Sequence, residues 1–182
     1  HSTSAAITGG NSVSCGTAVT TAINSFWRVY NLANFPAITG NFTINTVSFG
    51  VELTSGGPQN VTIRLYTQTG AAFPAGTRTQ IASQVFSVPN ISLGNYTATF
   101  TTPATVSNTS TVVVEVETAG AAGTRFFIGS NAALETAPTY LSASACAITT
   151  PTTTAAIGFP NMHAVLNLGG TIPGAGAIAT GT

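Results

Sequence analysis

The chain has 182 residues, enough for one domain, and eight charged side chains: Arg28, Arg64, Arg78 and Arg125 against Glu52, Glu115, Glu117 and Glu135, with no Lys or Asp. Four scattered arginines at zero net charge cannot neutralise a phosphate backbone, which excludes nucleic-acid binding, and four isolated Glu supply no oxygen-rich calcium loop. A composition that is 43% hydrophobic with ten Phe favours a folded core over disorder, and no apolar run approaches the roughly 18 residues that span a bilayer.

The chain opens on His1 rather than Met, which reads as a processed form whose signal segment has been removed. Residues 1–13 are mostly Ser, Thr, Gly and Ala around Ile7, too polar to pack a core alone. Phe26–Leu32 is the first strand candidate. Val47, Phe49, Val51 and Leu53 then alternate with polar residues, while Phe42 and Ile44 take the opposite parity, which predicts a bulge near Asn45–Thr46. Ser55-Gly56-Gly57-Pro58 turns the chain before Val61, Ile63 and Leu65 resume the alternation, the clearest predicted hairpin. Gln80–Val88 and Tyr96–Thr101 follow. Val112, Val114 and Val116 next alternate with Val113, Glu115 and Glu117, and Arg125–Ile128, Thr139–Ser142 and Met162–Leu168 complete the set. No ten-residue stretch carries a helical stripe. The pattern predicts an all-β, two-sheet antiparallel sandwich of eight to ten strands, jelly-roll or immunoglobulin-like, over residues 14–170. The Gly/Ala/Thr-rich tail 171–182 lies outside it.

Cys15 and Cys146 form an even count in a Lys-free, Thr-rich chain, which predicts one disulfide and an oxidising, extracellular setting. It closes a loop of about 130 residues, worth roughly 4–5 kcal/mol in the chain-entropy model. Two Cys and two distant His show no zinc-ligand pairing. Five sequons, at Asn41, Asn60, Asn90, Asn95 and Asn108, are candidate glycosylation sites.

With so few charges, Thr (33 residues), Ser, Asn and Gln must provide the polar surface. Such a surface hydrogen-bonds well and repels nothing, so it suits a subunit covered by copies of itself. The two tails offer a joint. Ala5 and Ile7, within Ser4–Thr8, or Ile172 and Ile178, within Thr171–Thr180, are spaced to add as a strand to a neighbouring subunit, as in donor-strand complementation. The alternative is that each tail folds back on its own domain.

The stretches "SFWRVYNLANFP", "VSFGVELTSGG…QNVTIRLYT", "RFFIGSN" and "PTYLSASACAITTPTTTAAIGFPNMHAVLNLGG" resemble a β-sandwich module of large secreted and surface bacterial proteins. The resemblance covers roughly Cys15 to Gly170, and its most specific part runs from Tyr140-Leu-Ser through Cys146 to Phe159-Pro-Asn-Met-His163. It implies an extracellular accessory or adhesive role without catalytic residues.

Catalytic readings find little. A Ser-His-Asp triad lacks Asp, and no Gly-x-Ser-x-Gly elbow is present. Glu115 and Glu117 share one strand face at a spacing a glycosidase could use, although alternate Glu on an exposed strand are ordinarily solubilising. His1 on a β-sandwich is what copper-dependent polysaccharide monooxygenases display, and His163 is then the candidate second ligand with Tyr140 axial. A strand histidine bonded to backbone is the competing outcome for His163. Trp27, Tyr30, Tyr66, Tyr96 and Tyr140 are candidates for stacking on sugars, against Trp27 as a core aromatic with Arg28 beside it. Glu52 and Arg64, on the two arms of the predicted hairpin, are expected to form a cross-strand ion pair.

The composite expectation is a non-enzymatic structural subunit of an extracellular filament or surface assembly, without cofactor, whose partners are copies of itself. A secreted adhesion or carbohydrate-binding module is the alternative, with glycans as partners, and the copper enzyme a distant third.

Overall fold

The structure is a computed structural model that describes residues 1–173 and, for their backbone, 177–179; the side chain of Ile178 and the rest of the tail fall outside the described residues. Two antiparallel sheets pack face to face. The first has the order β10 (Ile148–Thr153), β9 (Tyr140–Ala143), β1 (Ser25–Asn31), β6 (Thr111–Thr118), β3 (Gln59–Thr69), β4 (Thr77–Val88). The second has the order β13 (Ala177–Ala179), β12 (Leu166–Thr171), β2 (Phe42–Ser55), β5 (Ser92–Val106), and β7 (Arg125–Ile128) also pairs with β2. A two-residue ladder joins β8 (Ser130–Asn131) to β11 (His163–Ala164) at one end. Ten of these thirteen strands have four residues or more, so the sandwich is as predicted and the additional pieces are short.

The core lies between the sheets. Phe26, Tyr30, Val61, Ile63, Leu65, Val112, Val114 and Val116 of the first sheet meet Phe42, Ile44, Val47, Phe49, Val51, Phe100, Leu166 and Leu168 of the second, all buried. At about 1.5–3 kcal/mol for each large side chain taken out of water, this layer supplies most of the drive to fold. Alternation creates it: period-two strands put every second residue inward.

The Val47–Leu65 segment departs from its predicted hairpin. Its two halves do not pair with each other; β2 belongs to the second sheet and β3 to the first, so residues 55–58 form an arch over the core. Gly56 at φ +88° takes the turn, and a Cβ there would lie 2.3 Å from the Gly123 carbonyl. Alternation records which side of a strand is buried and is silent about its partner. The same change of sheet separates Glu52 from Arg64, and their expected ion pair is absent: Arg64 sits beside Glu115 and Glu117 instead. The predicted bulge is present as a register shift between Ile44 and Thr46 against β5.

Cys15 and Cys146 are bonded, at a sequence separation of 131, and fasten the segment before β1 to the turn between β9 and β10. Asn24 holds the Cys15 side of this joint, accepting from the Cys15 amide at 2.7 Å and donating to its carbonyl at 3.0 Å. Replacing both cysteines by Ser should lower unfolding free energy by about 2–5 kcal/mol, read from urea denaturation of oxidised parent and double variant. Equal midpoints would show that this closure contributes nothing.

Candidate functional site

β1 alternates as Phe26-Trp27-Arg28-Val29-Tyr30, and it is Arg28, not Trp27, that points into the sandwich. The Arg28 guanidinium is fully buried and donates to three acceptors: the Glu135 carboxylate at 2.9 Å, the Ala137 carbonyl, and the Ala164 carbonyl at 2.7 Å. Burial lowers its pKa from the ordinary value, opposed by Tyr30 and Glu135, but a guanidinium stays charged in proteins. Glu135 in turn lies 3.6 Å from His163 Nε2. Arg28 therefore fixes the otherwise irregular segment 132–138 to the first sheet.

That segment receives the N-terminal arm. Thr3 donates to the Leu134 carbonyl at 2.7 Å, Thr136 to the His1 carbonyl at 2.8 Å, and Thr8 to the Ser130 carbonyl at 2.9 Å. The buried Asn131 amide grips the arm from the side, donating to the Ser4 carbonyl at 3.0 Å and the Ala6 carbonyl at 2.7 Å while accepting from Ser2 Oγ at 2.8 Å. A close crossing prepares this seat. The Gly129 amide donates to the Gly50 carbonyl at 2.6 Å, and a Cβ on Gly129 would lie 2.6 Å from the Gly50 carbonyl carbon, so only glycine fits. Of the residues singled out for assembly, Ala5 is exposed and Ile7 half-buried over Gly50. Ile172 is buried in the core of its own domain, 7% exposed, while Ile178 lies in β13 with its side chain outside the described residues.

Beyond the arm the chain is anchored. The Glu52 carboxylate accepts from the Gly10 amide at 3.0 Å and the Ser12 amide at 2.9 Å, and Asn11 donates to Ser130 Oγ at 2.9 Å. Gly9-Gly10 is the joint between the held arm and this anchored stretch, with Gly10 at φ +76°.

The outer face of the first sheet carries a second apolar cluster. Trp27 (7% exposed), Phe73 (7%) and Val113 are buried there, with Tyr66 and Tyr140 against them. Phe73 sits in the β3–β4 loop and folds onto Trp27 at 5.7 Å and edge-on to Tyr140 at 4.7 Å; Arg78 lies over the Trp27 and Phe73 rings at 5.3 and 5.1 Å. Three of the five aromatics considered for sugar stacking are thus brought together. The other two are not: Tyr30 is in the core, donating to the Leu166 carbonyl, and Tyr96 packs on Phe49 at 5.5 Å in the second sheet. Between this cluster and the arm opens a cleft of about 760 Å³, bordered by His1, Asn31, Asn34, Phe35, Phe73, Thr136 and Tyr140.

Glu115 and Glu117 do not form an open carboxylate pair. Arg64 bridges them at 3.2 and 2.9 Å, and Tyr66 donates to Glu115 at 2.7 Å. The two histidines are engaged separately. His1 stacks on Tyr30 at 4.2 Å and directs Nε2 to the Val29 carbonyl, whereas His163 turns Nδ1 to the Ala133 carbonyl and Nε2 to the Pro160 carbonyl at 3.0 Å. Among the described residues no three His, Cys, Asp or Glu side chains gather as a metal site. Asn41, Asn60, Asn90 and Asn95 are exposed, and Asn108 is half-buried with its amide 3.4 Å from the Ile38 carbonyl.

Sequence reasoning missed Asn131, Asn34 and Phe73. Phe73 had a signal, a large apolar residue inside a Gly-bounded loop; the two asparagines had none in so Asn-rich a chain. Compared with known proteins, the chain matches no family model, no curated protein and no solved structure.

Two stability measurements check these assignments. Arg28→Met should cost about 3–5 kcal/mol in urea denaturation, because it leaves Glu135 and two carbonyls without their buried cation; a variant as stable as the parent would contradict the anchoring role. Burial raises the pKa of Tyr30, of Tyr66 and of Tyr140 above 10, with hydrogen bonding to Glu115 adding to the rise at Tyr66. Folding thus favours the neutral phenols, whose contribution is complete below the unfolded-state pKa of about 10 and is lost as pH climbs beyond it. Unfolding midpoints should be flat from pH 7 to 9 and fall above about 10; no decline by pH 11.5 would refute the burial of these hydroxyls.

Proposed function

We propose that the chain is a structural subunit of an extracellular filament or surface assembly, in which the arm His1–Thr8 of one copy occupies the Ser130–Thr136 seat of the next. The observation that carries this reading is how the arm is held. Its attachment is a row of hydrogen bonds to one short segment, with Ile7 over Gly50 and the His1 ring stacked on Tyr30 and bonded to the Val29 carbonyl as its other contacts, and it ends at Gly9-Gly10. Every one of those bonds is reproduced unchanged when the arm comes from an identical neighbour, so exchange costs little beyond ordering the joint. Eight extended residues reach about 26 Å, sufficient to cross to an adjacent copy. Glu52 and the Cys15–Cys146 bond keep the chain from Gly10 onward with its own body, which confines the exchangeable part to 1–8 and leaves Asn11–Val13 behind. The C-terminal route has less support, since Ile172 already fills its own core.

The charge distribution agrees. Arg28 engages Glu135, Arg64 engages Glu115 and Glu117, Glu52 holds backbone amides, and Arg78 and Arg125 lie over aromatic rings. All eight charged side chains have partners within the molecule, so copies meet through hydroxyls, amides and apolar groups. The disulfide supports an oxidising, extracellular location and a secreted, cell-surface setting. A role in recognition, as an adhesion or carbohydrate-binding module, is favoured separately by the aromatic cleft.

Removal of residues 1–8 should convert assemblies to monomers in size-exclusion chromatography and negative-stain microscopy, and a synthetic His1–Thr8 peptide should bind the truncated protein. About 1 M NaCl should leave full-length assemblies intact, because screening acts only on exposed charge. Polymerisation that survives the truncation, or dissolves in salt, would defeat the reading.

A further inference from the structure

The cleft between the arm and the aromatic cluster has the size of a small-molecule site, about 760 Å³, and a composition that selects its occupant. No Arg, Lys, Asp or Glu side chain borders it: Arg28 is buried with both of its terminal nitrogens engaged, and Arg78 lies over the ring of the bordering Phe73. An anionic ligand would find only His1 as counter-charge, and its imidazole is already stacked on Tyr30 and bonded to the Val29 carbonyl. β9 is hydrogen-bonded on both sides and β1 over Ser25–Trp27; the open side of β1 is confined to Arg28–Asn31, where the Val29 carbonyl is already taken by His1 Nε2, which leaves little edge for an extended peptide.

What the cleft does offer is aromatic surface together with unused neutral polar groups. Tyr140 is the telling residue. Three of the four tyrosine hydroxyls bond within the molecule: Tyr30 to Leu166, Tyr66 to Glu115 and Tyr96 to Ser87. The Tyr140 hydroxyl, at the cleft, has no such bond among the described residues, and neither does the exposed side-chain amide of Asn34. Asn31 uses its carbonyl oxygen on the Ala33 amide at 3.2 Å, which leaves its two N–H groups directed to solvent or ligand. Phenol and amide groups donate and accept in the same way as the hydroxyls of a sugar ring, and Phe35, Phe73 and Tyr140 supply apolar surface for its C–H faces.

We propose that this cleft is a binding site for a neutral saccharide, with Tyr140, Asn34 and Asn31 supplying its hydrogen bonds. The site is independent of strand exchange, because the His1–Thr3 wall is the same whichever copy provides the arm.

The test titrates full-length protein with neutral hexasaccharides of glucose, mannose, xylose and N-acetylglucosamine, with oligogalacturonate as the anionic comparison and decaproline as the peptide comparison. Binding is followed by Trp27 fluorescence and by amide NMR shifts. At least one neutral hexasaccharide should saturate and shift the Asn31, Asn34, Thr136 and Tyr140 amides. Tyr140→Phe, which keeps the ring, and Asn34→Ala, at an exposed position, should each weaken it by about two- to tenfold with unchanged thermal unfolding. The proposal is overturned by any of three results: no neutral sugar binds, only oligogalacturonate or decaproline binds, or affinity is unaltered in both variants. Assembly measured alongside separates this outcome from the strand-exchange reading, since these variants leave the arm and its seat intact.

Discussion

A single cation in the sandwich interior organises one end of the molecule. Arg28 is carried inward by the alternation of β1, where a charge without partners would be strongly disfavoured. It is tolerated because three acceptors converge on it, from Glu135, Ala137 and Ala164, which belong to a loop and to β11. The requirement runs both ways. The guanidinium must be satisfied, so the 132–138 segment, whose one large apolar side chain, Leu134, is exposed, is held against the sheet. Its position in turn defines both the seat for the arm and one wall of the cleft.

The remaining charges are spent inside the molecule as well, which gives this surface its character. Apart from Arg64 with Glu115 and Glu117, strands are linked on the surface by hydroxyl pairs, such as Thr43 with Thr105 at 2.9 Å and Ser48 with Thr97 at 2.8 Å. Such a coat carries no long-range field to orient or repel a partner. Contacts made by it depend on shape and on local hydrogen bonding, and both proposed activities, exchange of an arm and capture of a neutral sugar, are of that short-range kind.

The fold class and most strand positions were legible in the primary structure because burial on one face of a strand imposes period two. β7 is found at Arg125–Ile128 as expected, and β1 and β4 are within three residues of their predicted limits. β10 escaped because Ile148–Thr153 is an edge strand of Thr and Pro with no alternation. The partners of β2 and β3 were misread, since Gly-Gly turns serve arches and hairpins alike. For the candidate site, individual aromatics were visible and their grouping was not: Trp27, Tyr66 and Tyr140 are separated by tens of residues and meet only through the pairing of β1 with β9 and β6, of β6 with β3, and the fold of the Phe73 loop.

Composition and periodicity by themselves determined an uncharged, disulfide-closed, two-sheet protein, because residue chemistry and side-chain alternation are properties of the chain read locally. Only the tertiary structure decided that Arg28 faces inward and Trp27 outward, that Glu52 holds the Gly10–Ser12 stretch beyond the arm rather than Arg64, and that the arm has a built seat. Those outcomes depend on which segments lie beside one another. Such adjacency is set by the summed packing of both sheets, which no stretch of sequence encodes alone.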